Sequence, residues 1–98
     1  MKVVAVTSCA TGIAHTYMAA EAIKKICKEK GYECHVEMQG ALGIEDKLKE
    51  SQIADADLIV FANDVGITKV SRFDAYKNKT IQVKPHEVIK DPNIIFNK

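Results

Sequence analysis

Apolar residues recur along this chain in three rhythms, and each rhythm specifies an element. Val3, Val4, Ala5 and Val6 form an unbroken β-favouring run, which predicts a strand over residues 2–7 buried on both faces. Three- and four-residue spacing then takes over. Ala19, Ala22, Ile23, Ile26 and Cys27 fall on one helical face, and Glu21, Lys24, Lys25, Lys28 and Glu29 fall on the other. Gly31 follows a lysine-rich last turn, a common way for a helix to stop. Residues 32–38 alternate, with Tyr32, Cys34, Val36 and Met38 inward and Glu33, His35 and Glu37 outward, as on a half-exposed strand. Gly40 and Gly43 interrupt, and a short helix is expected over residues 44–53. Leu58, Ile59, Val60, Phe61 and Ala62 make a second wholly apolar strand, which ends in the turn Asn63-Asp64-Val65-Gly66. Residues 67–79 carry no clear period. Residues 80–84 alternate again, and Pro85 opens a final helix that Asp91-Pro92 restarts.

Strands alternating with helices imply parallel pairing through right-handed crossovers. The expected fold is a three-layer α/β/α, Rossmann-like arrangement with a four-stranded parallel sheet. The two apolar strands are central and the alternating ones are edges, giving strand order 2-1-3-4. Ligands of such sheets bind outside the carboxyl ends of the strands, where the strand order reverses. Here that point lies beside the first strand, and the segment leaving it is Ser8-Cys9-Ala10-Thr11-Gly12-Ile13-Ala14-His15-Thr16.

Composition narrows the function. With 98 residues, 47% hydrophobic and 28% charged, the chain reads as one globular domain spanning 1–98. A formal net charge of +1 gives no footprint for nucleic acid. No apolar run reaches the ~20 residues of a membrane span, and the N-terminal run is too short for a signal-peptide core, so a cytoplasmic location is expected. Cys9, Cys27 and Cys34 are odd in number and contain no Cys-x-x-Cys pair, which favours reduced thiols over disulfides or zinc. Cys27 and Cys34 lie on inward faces and read as core.

Cys9 is different. It follows a central strand and precedes a glycine-containing loop that enters a helix. Backbone N–H groups converge in such a turn and the helix dipole adds to them, so an anion is favoured there, whether phosphate or thiolate. The reading from residues alone sets a nucleophilic or phosphoryl-bearing Cys9 against a small buried cysteine at a strand end. Thr11 reads as a hydroxyl donor to phosphate and Thr16 as a helix cap. His15 is divided between a place near the phosphate and a helix-entry role. Asp64 is on the right edge for the site, but reads first as a turn former.

Residues 8–21, SCATGIAHTYMAAE, resemble the phosphorylation loop of B domains (EIIB) from fructose-family permeases of the sugar phosphotransferase system (PTS). Glu37-Met38-Gln39-Gly40, Ala62-Asn63-Asp64-Val65-Gly66 and Arg72-Phe73 resemble further family segments, so the likeness spans the chain. Ala10 stands where the family usually has proline, and Met38 where it has threonine. The first loosens the loop, and the second removes a hydroxyl expected near the site. The resemblance implies a phosphotransferase with Cys9 as phosphocysteine nucleophile and Ala10, Thr11, Gly12, Ile13, Ala14, His15 and Thr16 as phosphate-binding loop. Asp64 is an accessory residue in that reading. It implies an EIIA phosphohistidine donor, and an acceptor sugar, fructose or a relative, held by a membrane EIIC domain through which this domain meets the membrane. No cofactor or metal is implied. A low-molecular-weight phosphatase or arsenate reductase would place Arg six residues after the cysteine, where this chain has His15. A flavodoxin-like module is the other rival. Thr11-Gly12 resembles its phosphate loop, but Ala14 stands where threonine is wanted.

Overall fold

A computed structural model describes residues 1–9, 13–40 and 43–97. The two apolar runs become β1 (Lys2–Ser8) and β4 (Leu58–Asn63), paired in parallel at the centre of the sheet. β2 (Glu33–Gly40) pairs with β1 and β5 (Thr80–Val83) with β4, both in parallel. A fifth strand, β3 (Gly43–Glu45), turns back antiparallel along the end of β2. The sheet is therefore five-stranded and mixed, in order β3-β2-β1-β4-β5, where a four-stranded, wholly parallel sheet in order 2-1-3-4 was expected.

Local chemistry explains the added strand. Gly43 adopts φ 108°, a backbone state that side chains disfavour, and this lets the chain reverse beside Gly40. The helix expected over residues 44–53 is confined to α2 (Glu50–Asp55). It starts where the Lys49 N–H donates to Gln52 Oε1 at 2.8 Å, a side-chain capping contact three residues into the helix.

Helices cover both faces, which gives the three layers. On one side α1 (Ile13–Lys30), α3 (Pro85–Lys90) and a 3₁₀ turn (Pro92–Phe96) bury Val3, Ala5, Ala20, Ile23, Cys27, Val60, Val88 and Ile95. On the other side α2 and a 3₁₀ segment (Val70–Lys79) cover Val4, Val6, Leu48, Ile53, Ile59 and Phe73. That segment accounts for most of the aperiodic stretch 67–79. α1 stops as its sequence predicts. Gly31 takes φ 74°, its N–H reaches the Lys28 carbonyl, and Tyr32 N–H reaches Cys27 O at 2.8 Å, closing the last turn. Burying an aliphatic side chain such as Ile23 contributes about 1.5–3 kcal/mol, so α1 is anchored chiefly by this stripe.

One inward–outward expectation changes. Glu37 is not on a solvent face but fully buried, because the 3₁₀ segment and the start of α2 close over that end of β2. Met38 packs inward in the α1-side core, as its alternation predicts.

Candidate active site

β1 delivers Cys9 to the carboxyl edge of the sheet, and α1 begins four residues later. Cys9 is half-buried, with its Sγ donating to Asp64 Oδ2 at 3.2 Å. His15 Nδ1 lies 3.8 Å from the same sulfur. Asp64 owes its place to β4. The Asp64 N–H donates to Ser8 O at 3.2 Å, and Asn63 Nδ2 donates to Val65 O at 2.7 Å. These bonds turn the chain just past β4 and aim the carboxylate at β1. The turn reading of this segment and a place at the thiol are thus compatible, since the same tight turn brings Asp64 to Cys9.

The remaining loop residues separate by position. Ala10, Thr11 and Gly12 lie outside the described residues. Ile13 and Ala14 open α1, and Ala14 is exposed. Thr16 is buried and is the fourth residue of α1, inside the helix and not ahead of it as a cap would be. A cleft of about 760 Å³ adjoins the site and is lined by Asn63, Asp64, Gly66, Gln82, Lys84 and His86.

The other two cysteines stand together, away from this edge. Cys27 is fully buried on α1, and Cys34 packs against it from β2. Hydrogen bonding to Cys27, with burial, pushes the Cys34 thiol well above its ordinary range. Both are core thiols.

Sequence reasoning missed a second polar cluster beside the site. Glu37 Oε1 accepts Arg72 Nη1 at 2.9 Å and Leu48 N–H at 2.8 Å, and Oε2 accepts Arg72 Nη2 at 2.9 Å and Gln39 Nε2 at 2.7 Å. Burial pushes the Glu37 carboxyl up, but its bonds to Arg72, Gln39 and Leu48 outweigh that and hold it below the usual carboxylate value. Arg72 also stacks on Phe73, 5.0 Å from the ring centroid. The signal for this cluster was in the motifs Glu37-Met38-Gln39-Gly40 and Arg72-Phe73, of which the alternation placed Glu37 on the solvent side.

Known proteins carry the same fold and a similar sequence. The family model described as "PTS system, Lactose/Cellobiose specific IIB subunit" matches residues 4–98. The "PTS system fructose-like EIIB component 2" of Escherichia coli (strain K12) is 42% identical over 98 residues, covering 99% of this chain and 90% of that protein. The "Fructose-like PTS system EIIBC component" of the same strain is 34% identical over 98 residues, all of this chain but 20% of that protein. Among solved structures, the "Predicted Fructose Specific IIB from Escherichia Coli" superposes with a TM-score of 0.89 at 33% identity, covering 98% of this chain and 83% of that one. This chain belongs to the IIB family of the sugar phosphotransferase system, in its fructose-type branch, a family of phosphotransferase components.

Proposed function

We propose that Cys9 is the phosphoryl carrier of a relay. The Cys9 sulfur attacks the phosphorus of a phosphohistidine on an EIIA domain. The S–P bond forms as the P–N bond breaks, and the thiol proton ends on the departing imidazole, which leaves as a neutral ring. A hydroxyl of a sugar, fructose or a close relative, held by an EIIC domain, then attacks the same phosphorus. The S–P bond breaks and the hydroxyl proton passes to a base. The observation that carries this reading is the placement of the thiol: at the carboxyl end of a central strand, just ahead of α1, with Asp64 3.2 Å from its sulfur.

In this reading residues 10–16 cradle the phosphoryl oxygens with N–H donors. Asp64 accepts the thiol hydrogen, and His15 lines the same sulfur. Exposed Tyr17 and Met18 on α1 and Val65 beside Asp64 supply an apolar rim at this end of the sheet, suited to a protein partner. The fused EIIBC relative supports an EIIC partner and a station at the cytoplasmic side of the membrane. Among the described residues of this chain, no helix is long and apolar enough to cross a membrane.

A hydrolase fits less well. Cysteine phosphatases hold the phosphoryl group with a bidentate guanidinium, and the chain's one arginine, Arg72, is locked on Glu37. Incubation with a phosphorylated EIIA domain should add one phosphoryl group, mapping to Cys9 and absent from Cys9→Ser. The isolated phosphoprotein should hydrolyse slowly yet return its group quickly to unphosphorylated EIIA. Mapping to a histidine, or undiminished acceptance by Cys9→Ser, refutes the proposal. Multiple-turnover hydrolysis of p-nitrophenyl phosphate that depends on Cys9 selects the phosphatase.

A further inference from the structure

The reactive thiol and its carboxylate partner come from segments far apart in sequence, and something must hold them together. Two strand ends meet there. Ser8, the residue before Cys9, pairs with Gln39 on one side and with Asn63, the residue before Asp64, on the other. The segment that follows Asp64 then leaves the sheet, and Gln39 grips it beyond the contact of Ile67 with the core. Thr68 N–H donates to Gln39 Oε1 at 2.8 Å, and Gln39 Nε2 donates to Thr68 O at 3.0 Å. This is a two-way amide clasp, of the kind two backbone strands make. Gln39 is in turn oriented, because its Nε2 also donates to the buried Glu37 carboxylate. Arg72 closes the ring, binding Glu37 with two nitrogens while its Nε donates to Lys69 O at 2.9 Å. That second contact fixes a strained point, since Lys69 has φ 60° and φ in this region is uncommon for a residue with a side chain.

We propose that Glu37, Gln39 and Arg72 are positioning residues for phosphoryl transfer: they hold the 64–69 loop so that Asp64 stays on the Cys9 thiol. This rests on the reading of Cys9 as the phosphoryl carrier. None of the three reaches the reacting atoms. They act through Asp64, and their effect on Cys9 should vanish when Asp64 is disabled.

The test is a double-mutant cycle between Gln39→Ala and Asp64→Asn, with Arg72→Lys as a milder second variant and thermal melting recorded for each. Phosphoryl acceptance from phosphorylated EIIA should slow by roughly 10- to 100-fold in Gln39→Ala, the scale on which a displaced catalytic group acts. It should slow little further when Gln39→Ala is added to Asp64→Asn. A second readout needs no partner, namely the pH dependence of Cys9 alkylation by iodoacetamide. Asp64→Asn should shift that profile, because it removes the carboxylate that accepts from the Cys9 thiol. Gln39→Ala and Arg72→Lys should move it the same way, and neither should move it further in Asp64→Asn. Effects that add across the cycle, or an unmoved profile in both clasp variants while they melt within a few degrees of wild type, overturn the proposal. A wild type that never accepts phosphate refutes the relay and with it a role in phosphoryl transfer, whereas uncoupled alkylation profiles in a protein that does accept phosphate overturn the positioning alone.

Discussion

Cys9 follows directly on β1 and Glu37 lies on the adjacent β2, near one edge of the same sheet, and the protein treats them in opposite ways. Glu37 is fully buried, carries four hydrogen bonds and has both guanidinium arms of Arg72 on its oxygens. Cys9 is half-buried, with a carboxylate and an imidazole at its sulfur. A fully satisfied anion is inert and fixes structure. The phosphoryl carrier proposed for Cys9 has to take on a phosphoryl group and then give it up, and a thiol doing so cannot be bound so tightly. By committing its one guanidinium to Glu37, the chain keeps a strong phosphate clamp away from the thiol. That suits a carrier better than a hydrolase.

The largest effect that can break this contrast is on chemistry. Cys9→Ser should lower phosphoryl acceptance by at least ~1000-fold, the scale seen when a catalytic nucleophile is removed, while its melting temperature stays within a few degrees of wild type. Stability comes next. Arg72→Met leaves a buried carboxylate without its partner, which costs about 3–5 kcal/mol and should lower Tm by more than ~12 °C. Arg72→Lys should fall between, since an ammonium cannot span both oxygens. If Arg72→Met melts like wild type, the ion pair is not what holds this corner.

Acid sharpens the comparison further. The Glu37 carboxyl is held low in the folded protein, so its contribution is present above the unfolded value of about 4.3 and is lost as pH falls through the folded value. Wild type should therefore lose Tm more steeply than Glu37→Gln as pH is lowered below about 4. Parallel acid limbs would show that another group controls acid unfolding. The smallest effect is selectivity among thiols. Iodoacetamide at neutral pH should label Cys9 first, with Cys34, whose thiol its neighbour and burial push up, and the fully buried Cys27 well behind. Equal labelling in the folded protein would remove the distinction between site and core cysteines.

The sequence made the four parallel strands, α1 and its stop at Gly31 legible, because each apolar run or stripe is long enough to identify its own period. Cys9 was legible as a candidate from its place after a central strand and from family likeness. Asp64 was harder: a turn-forming aspartate and a thiol partner have the same sequence signature, and only the pairing of Asn63 with Ser8 brings the turn to Cys9. β3 escaped notice because three residues show no period, and its existence depends on the backbone state of Gly43. Glu37 was misjudged for another reason. Alternation correctly put Glu33, His35 and Glu37 on one side of β2, but it cannot tell what later chain covers that side. His35 stays near solvent beside Glu33, while Glu37, two residues on, lies under the segment that carries Arg72.

The central position of β1 also governs how the chain acquires its shape. β1 is synthesised before either neighbour, and its partners on the two sides end at Gly40 and Asn63. Until both have been made, Val3 to Val6 form an apolar ribbon with at least one unpaired edge, the kind of segment that seeks strands on other chains. Pairings this distant close slowly compared with local ones. Fragments ending before β4 should therefore aggregate instead of populating a partial fold, and Cys9 would emerge at the tip of that unprotected ribbon.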